Sequence, residues 1–361
     1  MSEHARRAQR GLSIIEVLVG MVIALIISLA AAGSAKMFGA AQRQGISVGG
    51  VSVGAATAIS AIKNEASSAG LGFFGTRDDQ NRSLFSCHRM NLTLGGTVRS
   101  DAASFVPVRI GTSGANNSLD VVYATSIDGG ADVLLSGSAD ASSAQTMSRL
   151  PVANGQLVML VPGTASGSSQ PCLVRTVTSS VAATDDTPQT INFGATGVYN
   201  QGTFSNTPSF DEEDKDRVVL LGTLRWSRFA VNGTTLVRTE PLTGTSATLL
   251  RNVMSFRVQY GVSTDGVLND LSWQDATGTP WGNVSGDNVN RIRALRIGLV
   301  TRSLQRERPD ASGTCQASTE KPRDPLDAAV EVEPDVAAPD DWRCYRYRSE
   351  LVVVPLRNLV W

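Results

Sequence analysis

From Leu12 to Ala35 the chain runs 24 residues with one charge, Glu16. About 20 consecutive apolar residues suffice to cross a bilayer as a helix, so this stretch predicts a membrane-spanning segment. No other feature constrains the fold as much, because the rest of the chain must then be anchored at one end. Arg6, Arg7 and Arg10 precede the run, while Lys36 alone follows it closely. The positive-inside rule therefore expects a cytoplasmic N-terminus and places everything beyond residue 36 outside the cytoplasm. The run is longer than the roughly 7–15 residues of a secretory signal core. It also holds a carboxylate, which costs roughly 2.5–3.5 kcal/mol near the bilayer centre. Glu16 calls for a partner.

Composition narrows the rest. The 361 residues include 34 glycines, only 18% are charged, and the formal net charge is -1. That balance gives no reason to expect a nucleic-acid partner, and the Gly, Ser and Thr content favours short strands joined by turns. His4 and His88 are the two histidines, which argues against a His-based triad or a multi-histidine metal site. "GISVG" (45–49) and "GVSVG" (50–54) match the nucleophile-elbow pattern, but in a helical stem rather than a strand-to-helix turn. "GLGFFG" (70–75) follows a helix, where a dinucleotide fingerprint follows a strand, and reads as a turn.

Gly11 followed by "LSIIEVLVG" resembles the class III signal of the type IV pilin superfamily. The resemblance implies that a prepilin peptidase cuts between Gly11 and Leu12, that Leu12 becomes N-methylated, and that Glu16 is the fifth mature residue. Leu12 stands where Phe is usual in that family. The physics is consistent: cutting before the apolar run removes the leader and leaves the anchor. The new amine at Leu12 has a pKa near 8 and lies i+4 from Glu16, on one helix face. The family assigns this carboxylate to docking on the amine of a neighbouring subunit, where an unpaired charge would be expensive.

Met37, Ala41, Ala55, Ile59, Ile62 and Ala66 recur at helical spacing, so the stem continues to about residue 69. Gly45, Gly49, Gly50 and Gly54 predict a kinked or partly melted middle. Beyond it, "SLDVVYAT" (118–125), "QLVMLVPG" (156–163), "PCLVRTVT" (171–178) and "ALRIGLV" (294–300) read as strands. Asn232-Gly233 marks a hairpin within 217–240. "AIKNEASSAGLGFFG" (61–75), "RNVMSFRVQYGV", "RALRIGLVTRS" and "RYRSELVVVPLRN" (346–358) resemble PilW-type minor pilins, the last through its Leu-Arg-Asn. Residues 76–216 carry no recognised motif.

Residues 304–343 are rich in Pro and Asp and predict a long surface loop. The acidic run "DEEDKD" (211–216) lacks Ca²⁺-loop spacing and reads as solvated. Four cysteines without a C-x-x-C, all beyond the membrane segment, predict disulfides. Cys315–Cys344 and Cys87–Cys172 are the expected pairs, since each flanks segments that enter or leave neighbouring strands.

The expected fold is α+β. A leader (1–11) precedes a transmembrane and stem helix (12–69), and then a mostly antiparallel β region (70–361) with room for two lobes. The expected function is that of a non-catalytic minor pilin that primes pilus assembly and enters the filament. No cofactor or metal is expected. Its partners would be other minor pilins, the major pilin, the prepilin peptidase, the inner-membrane assembly platform and the membrane itself. It would sit in the inner membrane with a periplasmic C-terminal domain, then in the filament. A GspJ-like minor pseudopilin of type II secretion and a pilus-displayed adhesin are the alternatives.

Overall fold

The computed structural model describes residues 13–73, 90–102, 106–125, 132–163, 170–185, 187–205, 208–263, 270–284, 286–310, 312–336 and 338–359. Two compact units result, 1–51 and 52–361.

One helix, α1 (Ile14–Ser67), runs through the first unit and into the second. Its residues Ile14–Ala35 have a mean hydropathy of 2.7, long and apolar enough to cross a membrane. The glycines at 45, 49, 50 and 54 do not interrupt it, so the stem is not melted in its middle. A helical glycine costs about 1 kcal/mol relative to alanine but loses no backbone hydrogen bond, so four of them weaken a helix without breaking it. In the second unit, Ala55, Ala58, Ile62 and Ala66 recur at steps of three and four and are buried against the strands that follow. Gly54 permits close approach, since a Cβ there would lie 3.0 Å from Leu250 Cδ1.

The head contains β1 (Met90–Leu94), β2 (Thr97–Ala102), β3 (Val108–Ser113), β4 (Asn116–Thr125), β5 (Asp132–Leu134) and β6 (Ser143–Thr146). Then come β7 (Leu157–Val161), β8 (Cys172–Thr176), β9 (Ser179–Val181), β10 (Gln189–Asn192), β11 (Arg217–Asn232) and β12 (Thr235–Glu240). The last five are β13 (Thr245–Arg251), β14 (Val253–Ser263), β15 (Leu271–Gln274), β16 (Ile292–Arg302) and β17 (Tyr347–Pro355). They form a large sheet ordered β13-β12-β11-β7-β8-β1-β2 with β3, β4 and β5 off that path, a small β6-β10-β9 sheet, and a β15-β14-β16-β17 sheet. Pairing is antiparallel except β1 with β8.

Strand β11 organises the large sheet by changing partners midway. Arg217–Gly222 pairs with β7, and Thr223–Ala230 pairs with β4. The register shifts between Leu220 and Gly222, and Gly222 has φ +70°. Such a bulge bends the strand and turns its two halves toward different neighbours. At the far end, Asn232 pairs with Thr235, so Gly233 (φ +60°) is the first residue of a two-residue hairpin loop. Glycine in that place is the type II′ requirement, rather than the type I′ that Asn-Gly usually marks.

Two cores use opposite faces of this sheet. Leu157, Met159, Val161, Val219 and Leu221 face the stem and the C-terminal sheet. Val158, Leu160, Leu173, Val218 and Leu220 face a second cluster containing Ile191, Phe193 and Phe210. That is why β7 and β8 are buried at every residue. The segment without a motif supplies the second layer, and both layers belong to one unit.

The loop 304–343 departs from the sequence reading. Pro322, Asp324 and Val332 are buried, and a Cβ on Gly298 would come within 2.6 Å of Pro325 Cγ. The segment thus lies on the outer face of β16, where Val332 joins Met254 and Val300. Strand β16 is therefore covered on both faces, with Gly298 and Val300 buried as well as Leu295, Ile297 and Leu299. A face that would otherwise be apolar and wet is closed by the chain itself.

Candidate functional site

The N-terminal end of α1 is the first part of the candidate site. Ser13 precedes the helix and its carbonyl accepts the N–H of Val17 at 3.2 Å. Glu16 lies in the first turn, three residues after Ser13. There a carboxylate is favoured by the unpaired N–H groups and the positive end of the helix dipole. Spacing Ser-x-x-Glu is also that of a capping box, a local use open to Glu16 beside any contact with another subunit. Gly11 and Leu12, the expected cleavage and methylation residues, lie outside the described residues.

The other end of the stem is where the head takes hold of it. Gly70 N–H donates to Val122 O at 3.0 Å, and Ala124 N–H to Leu71 O at 2.7 Å, so the turn after α1 pairs with β4. Gly70 and Gly72 have φ +77° and +83°, a conformation glycine adopts without steric cost. The turn expected at "GLGF" is therefore present, with Phe74 and Gly75 outside the described residues. On the helix, Glu65 Oε1 pairs with Arg238 Nε of β12 at 2.9 Å. From the C-terminal end of the chain, Asn358 Nδ2 donates to Ser67 O and Ala69 O, both at 3.3 Å.

Cys315 and Cys344 form a disulfide with Cα atoms 4.8 Å apart, as expected from their places at the ends of the covering loop. Cys172 is buried in β8 and is disulfide-bonded; its expected partner, Cys87, lies outside the described residues. The acidic run is not wholly solvated, because Asp216 is buried. Its carboxylate accepts N–H groups from Gly163 and Asp211. Burial holds the Asp216 carboxyl above the usual carboxylate range, against the lowering effect of those two bonds. Among the described residues no three His, Cys, Asp or Glu side chains gather as a metal site would need.

Sequence reasoning quoted Asn358 only as part of a motif and assigned no role to Asn116, Asn117, Glu65 or Tyr260. No local pattern could have found them. Phe256 and Val258 of β14 donate their N–H groups to Asn116 Oδ1 and Asn117 Oδ1, each at 2.8 Å. Two side chains of β4 thus accept N–H groups of β14 that no described strand pairs with.

Comparisons with known proteins bear on both ends of the chain. Residues 227–358 match the family model described as Type IV Pilus-assembly protein W, a span that begins within β11 and ends on Asn358. Residues 6–32 match the prokaryotic N-terminal methylation motif. A search of curated proteins finds no match. A solved type IV-like pilin from Thermus thermophilus is similar over 86% of this chain and 98% of its own, at 10% identity and a TM-score of 0.32. That superposition is too loose to carry a conclusion. The chain is thus similar to prepilins at its N-terminus, through the methylation motif, and to PilW-type proteins of type IV pilus assembly across its last strands.

Proposed function

We propose that this chain is a non-catalytic minor pilin, anchored in the inner membrane by residues 12–35 with its head in the periplasm. Prepilin peptidase removes residues 1–11, Leu12 is N-methylated, and the mature subunit joins other minor pilins and the major pilin. In this reading it primes filament assembly at the inner-membrane platform and is incorporated. The observation that carries the proposal is the methylation motif over 6–32 on a helix that continues unbroken to Ser67. The far end of that helix is built into the PilW-matching head.

Glu16 tests the proposal. Its carboxylate has two possible uses, the local cap beside Ser13 and the amine of an adjacent subunit. A cap is worth about 1 kcal/mol, which a 54-residue helix can spare. Loss of docking would stop recruitment. Glu16→Ala and Glu16→Gln are therefore expected to leave membrane insertion and leader cleavage intact. Both variants would reduce surface pili, and the amount of this protein in sheared filaments, by tenfold or more. Wild-type levels in both assays would reduce Glu16 to a cap and remove its docking role.

A further inference from the structure

The last turn of the stem leaves two carbonyls for which the described residues give no local donor. Asn64 O accepts from the hydroxyls of Ser67 and Ser68. Glu65 O, Ala66 O, Ser68 O and Gly70 O accept from the N–H groups of Ser68, Ala69, Leu71 and Phe73. Ser67 O and Ala69 O are bonded by Asn358 Nδ2, at 3.3 Å each. Helix C-termini normally satisfy such carbonyls with a Schellman turn, water or a nearby side chain. Here one amide group, 291 residues away in sequence from Ser67, serves both.

Asn358 is itself firmly held. It sits in a short 3-10 turn, Arg357–Leu359, after β17. Leu356 N–H donates to Arg293 O at 2.8 Å, and Arg293 Nη1 donates to Leu359 O at 3.0 Å. Leu356 and Leu359 are buried in the same core as Ile62, Ala66 and Ala69. The hydrogen bonds that place the amide thus come from Arg293 of the C-terminal sheet, while Leu356 and Leu359 pack into the core that the stem shares.

We propose that Asn358 is a clamp that makes the order of the stem's last turn conditional on the docking of the final strand. Until β17 is paired and the 3-10 turn forms, residues 66–73 lack the donor for two carbonyls and fray. Once it forms, the end of the membrane-anchored helix and the chain's C-terminus become one cooperative unit. The chemistry at the clamp is specific. The carbonyls of a helix C-terminus carry partial negative charge, so an amide N–H₂ suits them and a carboxylate of the same size does not.

That specificity supplies the test, which is independent of any role in a filament. Hydrogen exchange would be followed by mass spectrometry on the full chain in detergent micelles. Peptides covering 64–73 report the junction, and peptides covering β14 and β16 report the sheet. Asn358→Ala is expected to speed exchange at 66–73 by roughly tenfold, the factor carried by about 1.4 kcal/mol, with the sheet peptides unchanged. Asn358→Asp is expected to speed it more, although it is the closer isostere. Wild-type exchange at 66–73 in the Asp variant would overturn the clamp, since shape alone would then suffice. Equal acceleration of junction and sheet in both variants would also overturn it and reduce Asn358 to a core residue.

Discussion

Tyr260 Oη accepts the backbone N–H of Ile110 at 2.7 Å, joining β14 of the C-terminal sheet to β3 of the large one. The phenol is 1% exposed, and its ring packs near Trp281 with centroids 6.2 Å apart. With Asn116 and Asn117 it makes a seam of side-chain acceptors for strands whose N–H groups would otherwise point at each other's sheet.

Tyr260→Phe keeps the ring and strands the Ile110 N–H in the core, at a cost of about 1–3 kcal/mol. Burial pushes the Tyr260 phenol up to about 12. A raised pKa in the fold means its contribution is intact below about pH 10 and is lost as pH rises toward 12. Chemical denaturation should show the full penalty at pH 8 and a smaller gap between variant and wild type at pH 11. A gap constant across that range would show that the phenol is not held neutral.

Gly72→Ala meets two obstacles. Its φ is +83°, and a Cβ would lie 2.7 Å from Ala124 Cβ. A non-glycine residue in this conformation costs roughly 1–3 kcal/mol before any clash. The thermal midpoint should fall by several degrees. Gly50→Ala, with nothing within 4 Å of its added Cβ, should instead add up to about 1 kcal/mol of helix stability. Equal effects at the two positions would refute the distinction.

The Cys315–Cys344 disulfide spans a sequence separation of 29. In the chain-entropy model such a loop contributes roughly 3.6 kcal/mol. Cys315→Ser with Cys344→Ser should lower stability by a few kcal/mol and expose the face over Gly298 and Val300 to proteolysis at 319–336. Peptide mapping without reduction checks the connectivity, and a Cys172–Cys315 peptide would contradict it.

Asp216 predicts an acid-side effect of defined sign. Burial raises its carboxyl above the ordinary range, so the folded state holds the proton more tightly than the unfolded one. Its contribution is complete at low pH and declines as pH rises through the shifted value. Asp216→Asn removes this decline while sacrificing one acceptor. Urea midpoints at pH 4.5 and 7 should therefore show the variant closest to wild type at pH 7. A deficit that grows with pH would reverse the sign and the assignment.

Processing is checked by intact mass. The mature protein is expected to begin at Leu12 with one added methyl group, and Gly11→Glu should leave the precursor uncut. A start near Ala31–Ser34 would mean an ordinary signal peptide and no retained anchor.

Local chemistry made some of this molecule legible in advance. The membrane span needs only a count of apolar residues, and the hairpin at Gly233 needs only alternation around a turn dipeptide. The Leu-Arg-Asn near the C-terminus was visible as a motif, but nothing local said that its Asn358 reaches back to Ser67. Nor could composition show that the Pro- and Asp-rich loop covers a sheet, because its buried residues Pro322, Asp324 and Val332 follow no period.

By itself, then, the sequence determined the long apolar N-terminal helix, the processing motif, several strands and the expectation of disulfides, all of which depend on residues a few positions apart. The tertiary structure alone decided where β11 changes partner at Gly222, which faces of β7 carry two separate cores, and what holds the stem. Those outcomes rest on contacts between residues separated by as many as 291 positions. Hydrogen bonding and burial act on what is near in space, and a linear pattern has no record of it until the chain has closed on itself.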